Sequence, residues 1–236
     1  MSKNAGYKGS VLLCGAAVSM TNEALSSITA DVWRVTASAK NVFDPETAVS
    51  VEVSEDSGST WTELGTEEYT VNFLFGIVDI DAYTSESGNT ANIDQVRIDG
   101  AYLPKYTLAN ARASDWSANA DLKDASVFQD EGMRRKRNRL DFEATVESLA
   151  QGQVPLDGSG GSEDAILDLI LGATRTVYEF TPTGDESDFA IRAFVKLASQ
   201  GVSVPGDDLV QANISMSGAL PGSATANQTP SIFNYR

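Results

Sequence analysis

From Leu140 to Leu149 apolar and polar residues alternate: Leu140, Phe142, Ala144 and Val146 share one face, Asp141, Glu143, Thr145 and Glu147 the other. This period of two is the mark of a strand with one dry and one wet surface. Residues 188–197 repeat it with Phe189, Ile191, Ala193, Val195 and Leu197 on one face. Residues 207–218 repeat it again, with Val210, Ala212, Ile214 and Met216 against Gln211, Asn213, Ser215 and Ser217. Between them the period changes. Ser162 suits an N-cap, Glu163 and Asp164 suit the positive end of a helix dipole, Ile166, Leu167, Ile170 and Leu171 make a helical stripe, and Gly172 suits the stop. So short a helix is unstable alone, which predicts that it packs on the apolar strand faces and leaves the other sheet face wet. The expected fold class is mostly β (α+β), a sandwich or barrel with one short packing helix and a β-rich insertion.

The first half of the chain is also β-patterned. Tyr7 to Cys14 reads as a strand, followed by a polar connection rich in Ser, Thr and Asn. In residues 31–81 the run Val32-Trp33-Arg34-Val35 precedes a turn at Asp44-Pro45, then Val49, Val51 and Val53 alternate with Ser50, Glu52 and Ser54. Glu55 to Ser59 predicts a turn, Thr60 to Leu64 a short strand, and Tyr69 to Ile80 an apolar hairpin bent near Gly76. Residues 84–95 read as an exposed loop. Val96, Ile98, Tyr102, Leu103 and Tyr106 restore β character, with Pro104 arguing against a central strand there. The expected division is 1–30 as an N-terminal strand and arm, 31–81 as an insertion or decoration, 82–220 as the core, and 221–236 as an extended C-terminal arm ordering on a neighbour.

Composition narrows the chemistry. The 236 residues are 42% hydrophobic and 21% charged, enough for a substantial core. Seventeen basic residues against 33 acidic ones give a net charge of -16, which repels phosphate backbones and disfavours nucleic-acid binding as a primary activity. With no histidine and one cysteine, Cys14, there is no Ser-His-Asp triad, Cys-His pair, histidine-ligated zinc or intrachain disulfide. Cys14, in the apolar run Val11-Leu12-Leu13-Cys14, reads as a small buried hydrophobe. Gly158-Ser159-Gly160-Gly161 lacks the lysine of a phosphate-binding loop. The pairs Asp79/Asp81 and Asp207/Asp208 lack the full spacing of a calcium loop. No catalytic, cofactor or metal site is expected. Met1 to Gly9 has no signal-peptide apolar region, and no stretch approaches the roughly 18 apolar residues of a membrane span, so cytoplasmic synthesis and no membrane partner are expected.

The order of these segments resembles the major tail protein, or tail tube protein, of long-tailed, siphovirus-like bacteriophages. The likeness rests on the Trp116 strand, Ser126-Val127-Phe128-Gln129-Asp130, the Asp141–Leu149 strand, the helix, and Val177-Tyr178-Glu179-Phe180. It continues through the hairpin around Val204-Pro205-Gly206-Asp207-Asp208 and the closing Ile214-Ser215-Met216-Ser217-Gly218. It covers about half the chain; Ala190-Ile191-Arg192-Ala193 stands where the family's strand has a glycine. The resemblance implies a non-enzymatic virion protein whose copies form hexameric rings stacked into a tube. Their strands would close one barrel, and DNA would pass without specific binding. It implies tape-measure, baseplate and terminator proteins as partners, and a place in the virion tail after assembly in the host cytoplasm.

Two sets of candidate residues follow. Asp141, Glu143 and Glu147 are candidates for an acidic lumen that repels phosphate. The run Arg134-Arg135-Lys136-Arg137-Asn138-Arg139 runs against the overall charge. It reads as an interface to acidic surfaces of a neighbouring copy, as a solvated loop, or as a DNA contact. The alternative functions are a β-sandwich that stacks carbohydrate on Trp33 and Trp61, another virion protein such as a tail completion or decoration protein, and a carboxylate-pair glycosidase.

Overall fold

The computed structural model describes residues 10–29, 31–80, 93–107, 111–124, 135–149, 175–182, 189–203, 211–226, 228 and 231–235. The helix expected over 162–171, the Ser126–Asp130 element, Asp207/Asp208 and Arg134 lie outside these residues. The chain is mostly β. Its strands are β1 (Ser10–Cys14), β2 (Val18–Ser27), β3 (Val32–Val35), β4 (Ser50–Ser54), β5 (Thr62–Glu63), β6 (Thr70–Asn72), β7 (Ile77–Asp79) and β8 (Gln95–Tyr102). They continue with β9 (Lys105–Thr107), β10 (Ala111–Asp124), β11 (Arg135–Leu149), β12 (Arg175–Thr181), β13 (Ile191–Ser203), β14 (Gln211–Gly218) and β15 (Phe233–Tyr235).

Two sheets result. An eight-stranded sheet runs β10-β11-β14-β13-β12-β1-β9, with β15 also paired to β13, and a seven-stranded sheet runs β5-β4-β8-β2-β3-β7-β6. The chain divides into two compact units, one of Met1–Leu13, Thr107–Ala219 and Tyr235–Arg236, the other of Cys14–Tyr106 and Leu220–Asn234. Residues 31–81 therefore do not close on themselves: β3 pairs with β2, and β4 with β8.

In the second unit the alternation of Val51 and Val53 with Glu52 holds, and Val51, Val53, Val96, Ile98 and Leu25 form the dry face. Ser54 departs from it: its buried hydroxyl donates to Asp56 and accepts from Gly58 N–H at 2.8 Å, so it builds the turn rather than meeting solvent. The β6–β7 hairpin bends at Gly76, whose φ of +59 and close approach to the Asn41 backbone leave no room for a side chain. Pro104 falls between β8 and β9, where no ladder bond is lost. The expected polar connection after Cys14 is instead β2, the central strand of its sheet. Its pairing with β8 shifts register between Met20 and Glu23, with Asn22 at a φ of 51. This bulge brings Met20 and Leu25, an odd number of positions apart, into the core, so no period of two marks the strand.

In the first unit β12 and the start of β13 are buried on both faces. Tyr178, Phe180, Ile191, Ala193 and Val195 lie on one side; Val177, Glu179, Arg192 and Phe194 lie on the other. The single dry face expected over 188–197 is corrected to this extent: Arg192 is buried because it pairs with Glu179 at 2.7 Å, and Phe189, expected on the dry face, is exposed.

Candidate functional site

The site is the polar face of the strands at one end of the eight-stranded sheet. On β11, Phe142, Ala144 and Val146 are buried while Glu143, Thr145 and Glu147 are exposed and Asp141 is half-buried. The alternation read from the sequence is thus the real orientation of the strand. The dry side is fixed by Phe142, whose ring stacks on Trp116 at 6.4 Å between centroids and tilts against Tyr178 at 5.9 Å. The Tyr178 hydroxyl in turn lies 2.6 Å from the Ser114 hydroxyl.

Antiparallel register extends the wet side over four strands. Asp141 stands opposite Asn119, Glu143 opposite Ser117, Thr145 opposite Asp115 and Glu147 opposite Ala113 of β10. On the other flank Glu143 meets Ser217, Thr145 meets Ser215 and Glu147 meets Asn213 of β14. Ser217 and Ser215 lie opposite Lys196 and Ser199 of β13. Each carboxylate therefore has a neutral residue directly across the ladder, and like charges meet only along diagonals of about 7–8 Å or, for Asp141 and Glu143, two positions apart along β11, which limits their repulsion. Over residues 113–119 of β10, 141–147 of β11 and 213–217 of β14 the polar face carries Asp115, Asp141, Glu143 and Glu147 and no basic residue, whereas β11 continues on the other side of Asp141 into its basic run, beginning with Arg139. Across the sheet, beyond β14, the next strand brings Lys196, exposed on β13.

Asp115 belongs to this face although the sequence reading did not select it. The alternation of Asp115, Ser117 and Asn119 with Ser114, Trp116 and Ala118 was the available signal, weakened because only Trp116 is a large apolar residue. Arg135, Lys136, Arg137 and Arg139 lie within β11 and not in a loop. The register sets Arg135 opposite Asp124, Lys136 opposite Lys123, Arg137 opposite Leu122 and Arg139 opposite Asp121, with a bulge between Asp121 and Leu122.

The remaining candidates take other roles. Cys14 is buried. Trp33 is buried, and the Trp61 ring is covered by the Arg97 guanidinium at 4.1 Å, itself paired with Glu52. Neither ring is an open platform for a sugar. Among the described residues no group of three or more Cys, Asp or Glu is placed to hold a metal ion. No helix there is long and apolar enough to cross a membrane. An open depression between Asp115–Ser117 and Glu143–Thr145 runs along the polar face.

No protein-family model matches the chain, and no curated protein sequence matches it. Solved structures do. A chain of the virion of a native gene transfer agent particle is similar at 14% identity and a TM-score of 0.38, over 48% of this chain and 82% of that one. A chain from the tail of an empty gene transfer agent particle with C6 symmetry is similar at 13% identity and 0.38, over 51% and 87%. The SPP1 tail tube is similar at 9% identity and 0.37, over 75% and 74%. At such TM-scores the likeness carries no argument of its own, and the reading of function rests on the strand face.

Proposed function

We propose that the chain is a structural, non-enzymatic virion protein whose copies assemble into hexameric rings stacked as a tail tube. The polar face of β10, β11 and β14 would line the lumen through which DNA passes during ejection. One observation carries the reading: between Asp141 and Glu147 and the facing residues 113–119 and 213–217, a continuous strand surface with acids separated by neutral residues, no base, and an apolar back packed beneath β11 and β14. Such a wall repels phosphate within a screening length of about 8 Å, and between Asp141 and Glu147 it offers no cationic point where DNA would stall.

Assembly answers a second feature. The 14-residue β10 ends the strand order of its sheet, and a long edge with open N–H and C=O groups needs a partner or promotes uncontrolled association. Closing a barrel with neighbouring copies removes that edge. In this reading the unit of Cys14–Tyr106 with Leu220–Asn234 is a decoration, and the basic run in β11 meets acidic surfaces of neighbouring copies. Tape-measure, baseplate and terminator proteins would be its other partners, and assembly would take place in the host cytoplasm.

The test is access to Glu143. In Glu143→Cys, with Cys14 buried, a small maleimide is expected to label both the monomer and the tube, and a maleimide carried on a large polymer only the monomer. Equal labelling of both forms by the large reagent would put Glu143 on an outer surface and end the lumen reading.

A further inference from the structure

The strand order of the second unit ends in β4 and β5 on one side and in β6 on the other, and the outer flanks of such a sheet carry backbone groups that need partners. Here the two flanks meet along a seam. At one end backbone closes it: Phe43, bridged to Tyr102 of β8, donates its N–H to Phe73 O at 2.8 Å, just past β6. Farther along, β5 makes its last bond to β4 from Leu64 N–H to Val51 O at 2.9 Å, and alternation puts the N–H and C=O of Val49 next on that flank. On the β6 side the corresponding groups are Tyr69 O and Val71 N–H. Side chains span this stretch, beginning with the Tyr69 hydroxyl, which donates to Val49 O at 3.0 Å.

The other bonds come from far along the chain. The buried Thr225 hydroxyl accepts from Val49 N–H at 2.8 Å. The buried Gln228 carboxamide accepts from Val71 N–H at 2.9 Å and donates to Tyr69 O at 2.7 Å and Thr66 O at 3.1 Å. Tyr69 O and Val71 N–H are the groups a neighbouring strand would engage, so Gln228 stands in for that strand. Thr225 and Gln228 thus hold opposite sides of the seam, and a turn couples them, with Gln228 N–H donating to Thr225 O at 3.4 Å. Ala224 N–H adds a bond to Pro45 O at 2.9 Å, and the segment stays anchored behind by the buried Pro221.

We infer that residues 224–228 are a strap that shuts this seam as one piece: Thr225 and Gln228 engage and release together, while the strands beneath stay paired. The dry face of the sheet is made by Leu25, Val51, Val53, Val96 and Ile98, none of which belongs to the strap. The strap itself turns Ala224 and Ala226 to solvent and holds by directional bonds, which weaken steeply with small changes of distance and angle. Release therefore needs neither a free end nor a long connector, and Pro221 can remain in place. Shut, the strap denies other chains the Val49 and Val71 groups, so the unit offers no strand-pairing site there. The inference goes beyond the tube reading and does not need it, because the seam lies within a single chain.

The test is residue-resolved amide hydrogen exchange on the full-length chain, with Gln228→Leu and Thr225→Val as separate variants. Each removes the bonds on one side of the seam and nearly keeps the volume of the side chain. Either one is expected to speed exchange at both Val49 and Val71 by about tenfold or more, leaving Val96 and Ile98 of β8 unchanged. An effect confined to the amide that each variant touches would show two independent bonds and overturn the inference. Equal acceleration of Val96 and Ile98 would overturn it too, since the segment would then be inseparable from the core. Should either variant fail to fold, the unmodified chain in dilute denaturant decides: Val49 and Val71 are expected to share one opening that costs less than that of Val96 and Ile98, and separate openings, or one common to all four, would contradict the strap.

Discussion

At the scale of single residues, the least replaceable group is the pair of Glu179 and Arg192, 1% and 2% exposed on the β12–β13 ladder. Two charges taken from water need each other, so Glu179→Ala is expected to cost about 3–5 kcal/mol in urea unfolding. The double change Glu179→Leu with Arg192→Met should cost much less, since no charge is stranded. Asp56 works oppositely, at the surface. Hydrogen bonds from Thr60 N–H, at 2.8 Å, and from the Thr60 and Ser54 hydroxyls lower its pKa from 3.8 to about 2. The sign follows: a carboxyl held below its unfolded value supports the turn fully above pH 3.8 and loses that support as pH falls through about 2. An NMR titration should find the Thr60 amide moving with that low midpoint, and Asp56→Asn should abolish the movement. The Asp56 turn was legible from Glu55 to Ser59. The buried pair was not, because Arg192 sits at a position of the alternation where a wet face was expected.

Among the elements, β11 was the most legible because its two faces differ at every step, and the orientation read from Asp141, Glu143 and Glu147 is the one it adopts. β2 escaped because its bulge near Asn22 breaks the parity on which the reading depends. Neither hydrophobicity nor propensity marks such a strand; long-range pairing with β8 and β3 does. The start of β11 was less legible for a related reason: a solvated loop was one of three readings of the basic run, and the hairpin with β10 carries Arg135 to Arg139 as strand. If that end of the hairpin meets acidic surfaces of another copy, Arg135→Glu should slow tube growth several-fold without changing the melting temperature of the monomer. Light scattering beside circular dichroism measures both. Growth at the normal rate would leave the basic run as a solvated strand end.

For the molecule as a whole, mostly-β character followed from local pattern, but the division into units did not. The second unit is completed by residues from Cys14 to Tyr106 and by a segment more than a hundred positions later, a closure invisible to any window along the chain. Its Gly, Ser, Thr and Asn content suggested an arm seeking a neighbour. In the described chain Thr225 and Gln228 are satisfied on its own backbone. The polar face is likewise a property of the assembled sheet, since Asp115, Glu143, Ser217 and Lys196 come from four strands. The central claim is that this face exists to line a tube made of many copies. Negative-stain electron microscopy of the purified protein over a concentration series tests it most directly, with sedimentation velocity on the same samples. Six-membered rings and hollow tubes that lengthen with concentration are the expected result; particles of single-chain mass at every concentration would contradict it.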